Sequence, residues 1–138
     1  MSEIQRTLVM VKPDGVRRRL VGEVISRIEA KGYDICELKL FTIDDDLARR
    51  HYAEHTEKPF FGELVAFITS GPVAAMVVEG PEVIAAVRRI MGPTNPLEAP
   101  PGSIRGDFAS AMTENLVHGS DSPKAAAREV DLFFGESL

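Results

Sequence analysis

The chain alternates two kinds of segment. RTLVMVK at residues 6–12, YDICELKLFTI at 33–43 and SGPVAAMVVEG at 70–80 are rich in β-formers, and each is followed by helix-type spacing. After the first, PDG supplies turn chemistry, then Val21, Val24, Ile25 and Ile28 recur at helical intervals up to Lys31 and Gly32. After the second, Asp44, Asp45 and Asp46 offer N-caps for a helix through Leu47, His51 and Tyr52, and a further helix is predicted over 60–69 from Pro59. After the third, Pro81 opens a helix that stops at Gly92 with Arg88 in its last turn. A brief fourth strand, Leu116-Val117, enters His118, and Asp121 or Ser122 caps a last helix from Pro123 to about Phe133. Four strands split around crossover helices predict an α+β sandwich of the split βαβ kind. A doubly wound parallel sheet is the alternative.

Residues 93–115 break this rhythm. Pro93, Pro96, Pro100 and Pro101, with Gly102 and Gly106, leave little periodicity, so a long structureless loop is expected, of the sort that usually has a function. The chain has 138 residues, 44% hydrophobic and 27% charged. One domain over 1–138 is the natural reading, and such a chain buries roughly two-thirds of its unfolded surface. No apolar run approaches the roughly 18 residues of a membrane span, and the start MSEIQ carries an acid where a signal peptide has positive charge. A cytoplasmic protein is expected. Cys36 has no partner for an internal disulfide and reads as a buried thiol. Net charge −5 argues against a dedicated nucleic-acid binder. The arginine runs 17–19, 49–50 and 88–89 read mostly as solvated faces, although a locally cationic pocket can still hold a small anion.

The usual phosphate and metal designs are missing: there is no GxxxxGK[ST], GxGxxG, CxxC or HExxH, and no metal-ligating set is expected. NLVHGSDSP at 115–123 therefore stands out. His51 and His55 lie far upstream, so His118 reads as a lone imidazole, between Asn115 and Gly119-Ser120-Asp121 at a helix start. Imidazole has a pKa near roughly 6.5 and is largely unprotonated at neutral pH, hence nucleophilic. Glu129 comes within reach if its helix folds back, and would then fix the tautomer. From spacing alone, His118 equally suits a capping or packing role.

The string NLVHGSDS resembles the active-site signature of the nucleoside diphosphate kinases. TLVMVKPDGVRR, HYAEHTEKPFF, FITSGPVAAMVVEG, GPTNP and PPGSIRGDF extend the likeness along nearly the whole chain, in the family's order. The resemblance implies a ferredoxin-like α+β fold with a four-stranded antiparallel sheet, and ping-pong transfer of the terminal phosphate of a nucleoside triphosphate to a nucleoside diphosphate. It further implies His118 as the phosphorylated nucleophile, Lys12 at the transferred phosphate and ribose hydroxyl, and Tyr52 near the phosphohistidine. Arg88, Thr94 and Arg105 match the groups that grip the phosphates, Phe60 the aromatic under the base, and Asn115 the amide at the sugar. All bases and both sugars should be accepted, because stacking reads a face every base has. Mg2+ is implied as a passenger of the nucleotide, with Asp121 a helper at most, and a homo-oligomer, hexamer before tetramer, as the assembly.

Overall fold

The computed structural model describes residues 3–135. The two residues before them and the three after, which the domain span 1–138 includes, lie outside the described residues. Four strands form one antiparallel sheet in the order β2-β3-β1-β4, with β1 Ile4–Val11, β2 Asp34–Phe41, β3 Val73–Pro81 and β4 Val117–Gly119. β1 is interior, pairing with β3 from Ile4↔Pro81 to Val11↔Ala74 and with β4 at Met10↔His118. The sheet is antiparallel throughout, which removes the doubly wound alternative and gives the ferredoxin-like sandwich.

Both faces of β1 and β3 are covered. Val9, Val11, Ala74, Met76 and Val78 pack with Val24, Ile28, Val83, Val87 and Met91, from α2 Val21–Ala30 and α5 Val83–Met91. Leu8, Met10, Val73 and Ala75 pack with Ala48, Phe61, Val65, Ile68 and Phe133 on the other face. These come from α3 Asp45–His51, α4 Phe61–Ile68 and α7 Pro123–Phe134. A strand sandwiched in this way reads as a continuous apolar run, not as an alternation.

β2 is different because it is an edge. Its register with β3 slips between Ile35 and Glu37, so Cys36 is the extra, bulged residue and is exposed. The expectation of a buried thiol is wrong for that reason: the apolar neighbours Leu38 and Leu40 are exposed too.

Three further departures concern turns. PDG is not a bare turn but the start of a short helix, α1 Pro13–Arg17, with Pro13 in its first turn. Pro81 ends β3 instead of opening the next helix, which begins at Val83. The expected structureless stretch 93–115 holds a 3-10 turn, Pro96–Glu98, and a helix, α6 Ile104–Phe108. Asn95 caps the first through Leu97 N, and Ser103 Oγ accepts from Gly106 N to cap the second. Arg27 ties the stretch down by donating to the Gly102 carbonyl and pairing with Asp107 at 2.9 Å. Arg18, expected as part of a solvated run, donates to the Phe108 carbonyl. Arg49 and Arg50 do lie on a solvated face, paired with Asp45 and Asp46 four residues earlier. No helix among the described residues is long and apolar enough to cross a membrane.

Candidate active site

The site forms where β1 and β4 end side by side. β1 delivers Lys12, at the N-cap position of α1 with its side chain free of any capping bond, and β4 carries His118 in register with Met10. Between them the backbone turns sharply: Leu116 is buried at φ +76°, a conformation that disfavours a side chain. Its neighbours over-determine it. Leu116 N donates to Asp14 Oδ2 at 3.1 Å, Lys12 N donates to the Leu116 carbonyl at 2.8 Å, and Val117 N donates to the Asn115 carbonyl. Strain held in this way is common where side chains must be aimed. Here it aims Asn115, whose Oδ1 accepts from Lys12 Nζ at 2.8 Å while its Nδ2 donates to the Thr94 carbonyl. Gly119 lets β4 press onto α5, because a Cβ there would meet the Met91 sulfur at 3.0 Å.

α7 does fold back over the strand end. Glu129 Oε1 lies 2.8 Å from His118 Nε2 and accepts from Ser120 Oγ at 2.6 Å. Burial pushes this carboxyl up, but the hydrogen bond and charge of His118, with the Ser120 hydrogen bond, outweigh it and hold the pKa at about 2. Ser122, not Asp121, caps α7 through Ala125 N.

His118 is not the lone imidazole its sequence neighbours suggest. His51, at the end of α3, is buried beneath it with ring centroids 4.9 Å apart at 83°. Burial above all, then the nearby charge of His118, pushes the His51 pKa down to about 3, so it stays neutral. Tyr52 packs 4.7 Å from His51, and burial, then the charge of Glu129, raises its phenol to about 12, leaving it a proton donor.

Five cations line the cleft, Lys12, Arg88, Arg105, Lys124 and Arg128. Lys12 is half-buried, and loss of water, then the neighbouring Arg105 charge, lower it to about 8. Arg105 is buried and braces the loop against the strand, donating to the carbonyls of Gly92, Asn115 and Val117. Burial, then Arg88, lowers it to about 10, which leaves it charged at neutral pH. Arg88 is exposed and donates to the Gly119 carbonyl at 2.9 Å. Arg128 reaches back to the carbonyls of Arg50 and His51 and fastens the end of α3.

The resulting cleft, about 640 Å3, is lined by Lys12, Tyr52, Arg88, Thr94, Arg105 and Asn115 around His118 and Glu129. Phe60 is not part of this lining. It stands beyond it on the surface, 43% exposed, 5.8 Å from the His55 ring and under Lys58 Nζ. Sequence reasoning missed His51, the Ser120 hydrogen bond and Arg128. His51 shows only as a polar residue falling on the inner face of a short helix, and nothing local marks the other two.

An imidazole with one nitrogen held, among cations at the end of a ferredoxin-like sheet, defines a phosphate-handling α+β enzyme. The model of the nucleoside diphosphate kinase family matches residues 5–138. The chain is 64% identical over 131 residues to a nucleoside diphosphate kinase of Mycobacterium sp. strain MCS, covering 94% of this chain and 96% of that one. It is 61% identical to one of Thermus thermophilus, covering 95% and 96%. A solved nucleoside diphosphate kinase of Halobacterium salinarum, in complex with CDP, matches with TM-score 0.93 at 51% identity, covering 99% of this chain and 90% of that one. A family protein from Babesia bovis gives TM-score 0.93 at 47% identity, covering 94% and 88%. The chain belongs to the nucleoside diphosphate kinase family. It is accordingly a transferase that moves phosphate between nucleotides.

Proposed function

We propose that the single domain, 1–138, carries out this transfer in two half-reactions with a phosphohistidine at His118 between them. The observation that carries the reading is the Glu129 contact to Nε2, which leaves Nδ1 as the nitrogen with a lone pair for phosphorus. In the first half, Nδ1 attacks the γ-phosphorus of a nucleoside triphosphate, a P–N bond forms, the bridging P–O bond breaks, and the diphosphate leaves with its electron pair. In the second, a terminal oxygen of another diphosphate attacks the same phosphorus and the P–N bond breaks. Glu129 holds the ring and balances its gain of positive charge.

Charge neutralisation is the protein's main contribution to such a step. Lys12 serves the moving phosphoryl group and a ribose hydroxyl, Tyr52 donates near the phosphohistidine, and Arg88, Thr94 and Arg105 grip the remaining phosphates. Asn115 orients Lys12 and reaches the sugar. Phe60, an exposed flat ring beyond the cationic end, stacks on the base, which supports tolerance of base and sugar. The CDP complex of the Halobacterium relative is in keeping with a diphosphate in such a site. Mg2+ enters as part of the nucleotide substrate and offsets phosphate charge. Glu129 is engaged by His118 and Ser120 and Asp121 is exposed at the rim, so no carboxylate cage competes for it.

The same reading makes the protein cytoplasmic, where an exposed free thiol such as Cys36 stays reduced. It also makes it a homo-oligomer, hexamer before tetramer, since β2 is an open sheet edge with Leu38 52% and Leu40 66% exposed. Sedimentation would measure the subunit number.

Incubation with γ-labelled ATP and Mg2+ tests the transfer. An acid-labile, alkali-stable label is expected on the protein, discharged by GDP or CDP as the triphosphate and absent in His118→Ala. A nucleotide-sensing module would take no label. A relay protein would pass the label to another protein and be indifferent to Phe60→Ala. A chain that turns over undiminished without the His118 ring would overturn the proposal.

A further inference from the structure

Two imidazoles of the cleft, His51 and His55, have no task in the transfer and each has an Nδ1 without a hydrogen-bond partner; of the two, His51 is the one packed against His118. It is buried, and its Nδ1 has no hydrogen-bond partner. Buried polar atoms nearly always have one, so an orphan calls for an explanation such as a bound ion. Tyr52 and Phe133 clamp the ring from two sides, at 4.7 and 5.3 Å, and Arg128 holds its backbone carbonyl. The ring is thus fixed in place and opens toward two other donors. One nitrogen of His51, one nitrogen of His118 and one carboxylate oxygen of Glu129 lie within 4.8 Å of one another.

We propose that His51, His118 and Glu129 bind one divalent transition-metal ion of the zinc type in the nucleotide-free protein. Two imidazoles and a glutamate are the donor set of open, four-coordinate zinc sites, in which the fourth position belongs to water. All three residues line the cleft, from which water can reach them. Mg2+ fits poorly, since it prefers an octahedron of oxygens. Tetrahedral zinc spaces its ligand atoms about 3.3 Å apart. The trio closes by rotation of the half-buried His118 ring and a turn of the Glu129 carboxylate onto the clamped His51. Binding takes the carboxylate that orients His118 and one of its ring nitrogens. On the reading of His118 as phosphate acceptor, the metal-loaded protein is therefore an idle form that phosphorylation excludes.

The probe is cobalt(II), which reports four-coordinate N/O ligation by its visible ligand-field bands. Nucleotide-free protein titrated with CoCl2 is expected to develop them at one ion per chain, and ZnCl2 to abolish them. His51→Phe keeps a ring in the aromatic clamp and Glu129→Gln keeps the shape of the side chain; each should weaken binding about tenfold or more. His55→Gln should bind as the unaltered protein does. A second measurement needs no variant: on adding zinc, the imidazole 15N signals of His51 and His118 should shift together and saturate at one equivalent. A six-coordinate cobalt spectrum, affinity indifferent to His51→Phe, or shifts confined to His55 would overturn the site. The γ-labelling experiment on metal-free protein separates the two proposals. Metal bound as described without labelling sinks the transfer reading alone, and labelling without the metal sinks this one alone.

Discussion

Glu129 reaches back to His118 from eleven residues further along the chain: its Oε1 lies 2.8 Å from Nε2, one residue on β4 and the other nearly two turns into α7. That contact selects which nitrogen is free. Glu129→Gln keeps the shape but removes the charge that favours one tautomer and offsets the developing phosphohistidinium. The rate of His118 phosphorylation in a single turnover should fall about a hundredfold, the usual scale for a positioned proton partner. Nucleotide affinity, set elsewhere in the cleft, should change little. Equal losses in affinity and rate would show that the carboxylate acts on the fold instead.

Lys12 sets the alkaline limit. Its pKa of about 8 means that the ammonium is charged below that value and neutral above it. Activity that needs the charge should hold up to about pH 8 and then fall tenfold per unit in kcat/KM, which reports the free enzyme. Stability moves the other way. An unfolded lysine titrates near roughly 10.4, so between about 8 and 10.4 the unfolded chain binds more protons, and stability should rise with pH across that window. Lys12→Gln should remove the alkaline limb of the rate profile and the rise together, as followed by initial rates and urea midpoints.

Strands, helices and the presence of a histidine site are legible in the sequence because each depends on local pattern: β-branched runs, helical spacing and the string around His118. Cys36 escapes that pattern because a one-residue bulge on an edge strand turns residues outward without altering composition. The short α6 escapes it because IRGDF is too brief for periodicity, and its signal is the single cap at Ser103. His51 illustrates the remaining gap. Its contact with His118 exists only because α3 and β4 pack on the same side of the sheet end, a long-range fact with no local trace.

Phe60 and Phe61 are adjacent and should behave oppositely. Phe60 is exposed and Phe61 buried against Val65 and Ala48. Removing an aromatic under a base costs about 1–3 kcal/mol of binding. Phe60→Ala should raise KM for nucleoside diphosphates several-fold or more with the denaturation midpoint unmoved. Phe61→Ala should destabilise by about 3 kcal/mol through the cavity it leaves. If Phe60→Ala leaves every KM untouched, the stacking assignment fails.

Arg105 separates bracing from catalysis. Its three bonds satisfy the carbonyls of Gly92, Asn115 and Val117, which join the end of α5 to the loop and to β4. A lysine has a single ammonium and cannot span three acceptors in a fork. Arg105→Lys therefore keeps the cation but gives up two of the three bonds, and hydrogen bonds from charged groups contribute about 1.5–3 kcal/mol each. The substitution should lower unfolding free energy by about 3 kcal/mol, a large share of the roughly 5–15 kcal/mol that holds a domain folded. Activity should fall as well, because the same turn aims Asn115 at Lys12. Calorimetry with and without a bound nucleoside diphosphate distinguishes the two roles. A brace alone predicts an equal loss of stability in both states, whereas a phosphate ligand predicts a larger loss when the nucleotide is present.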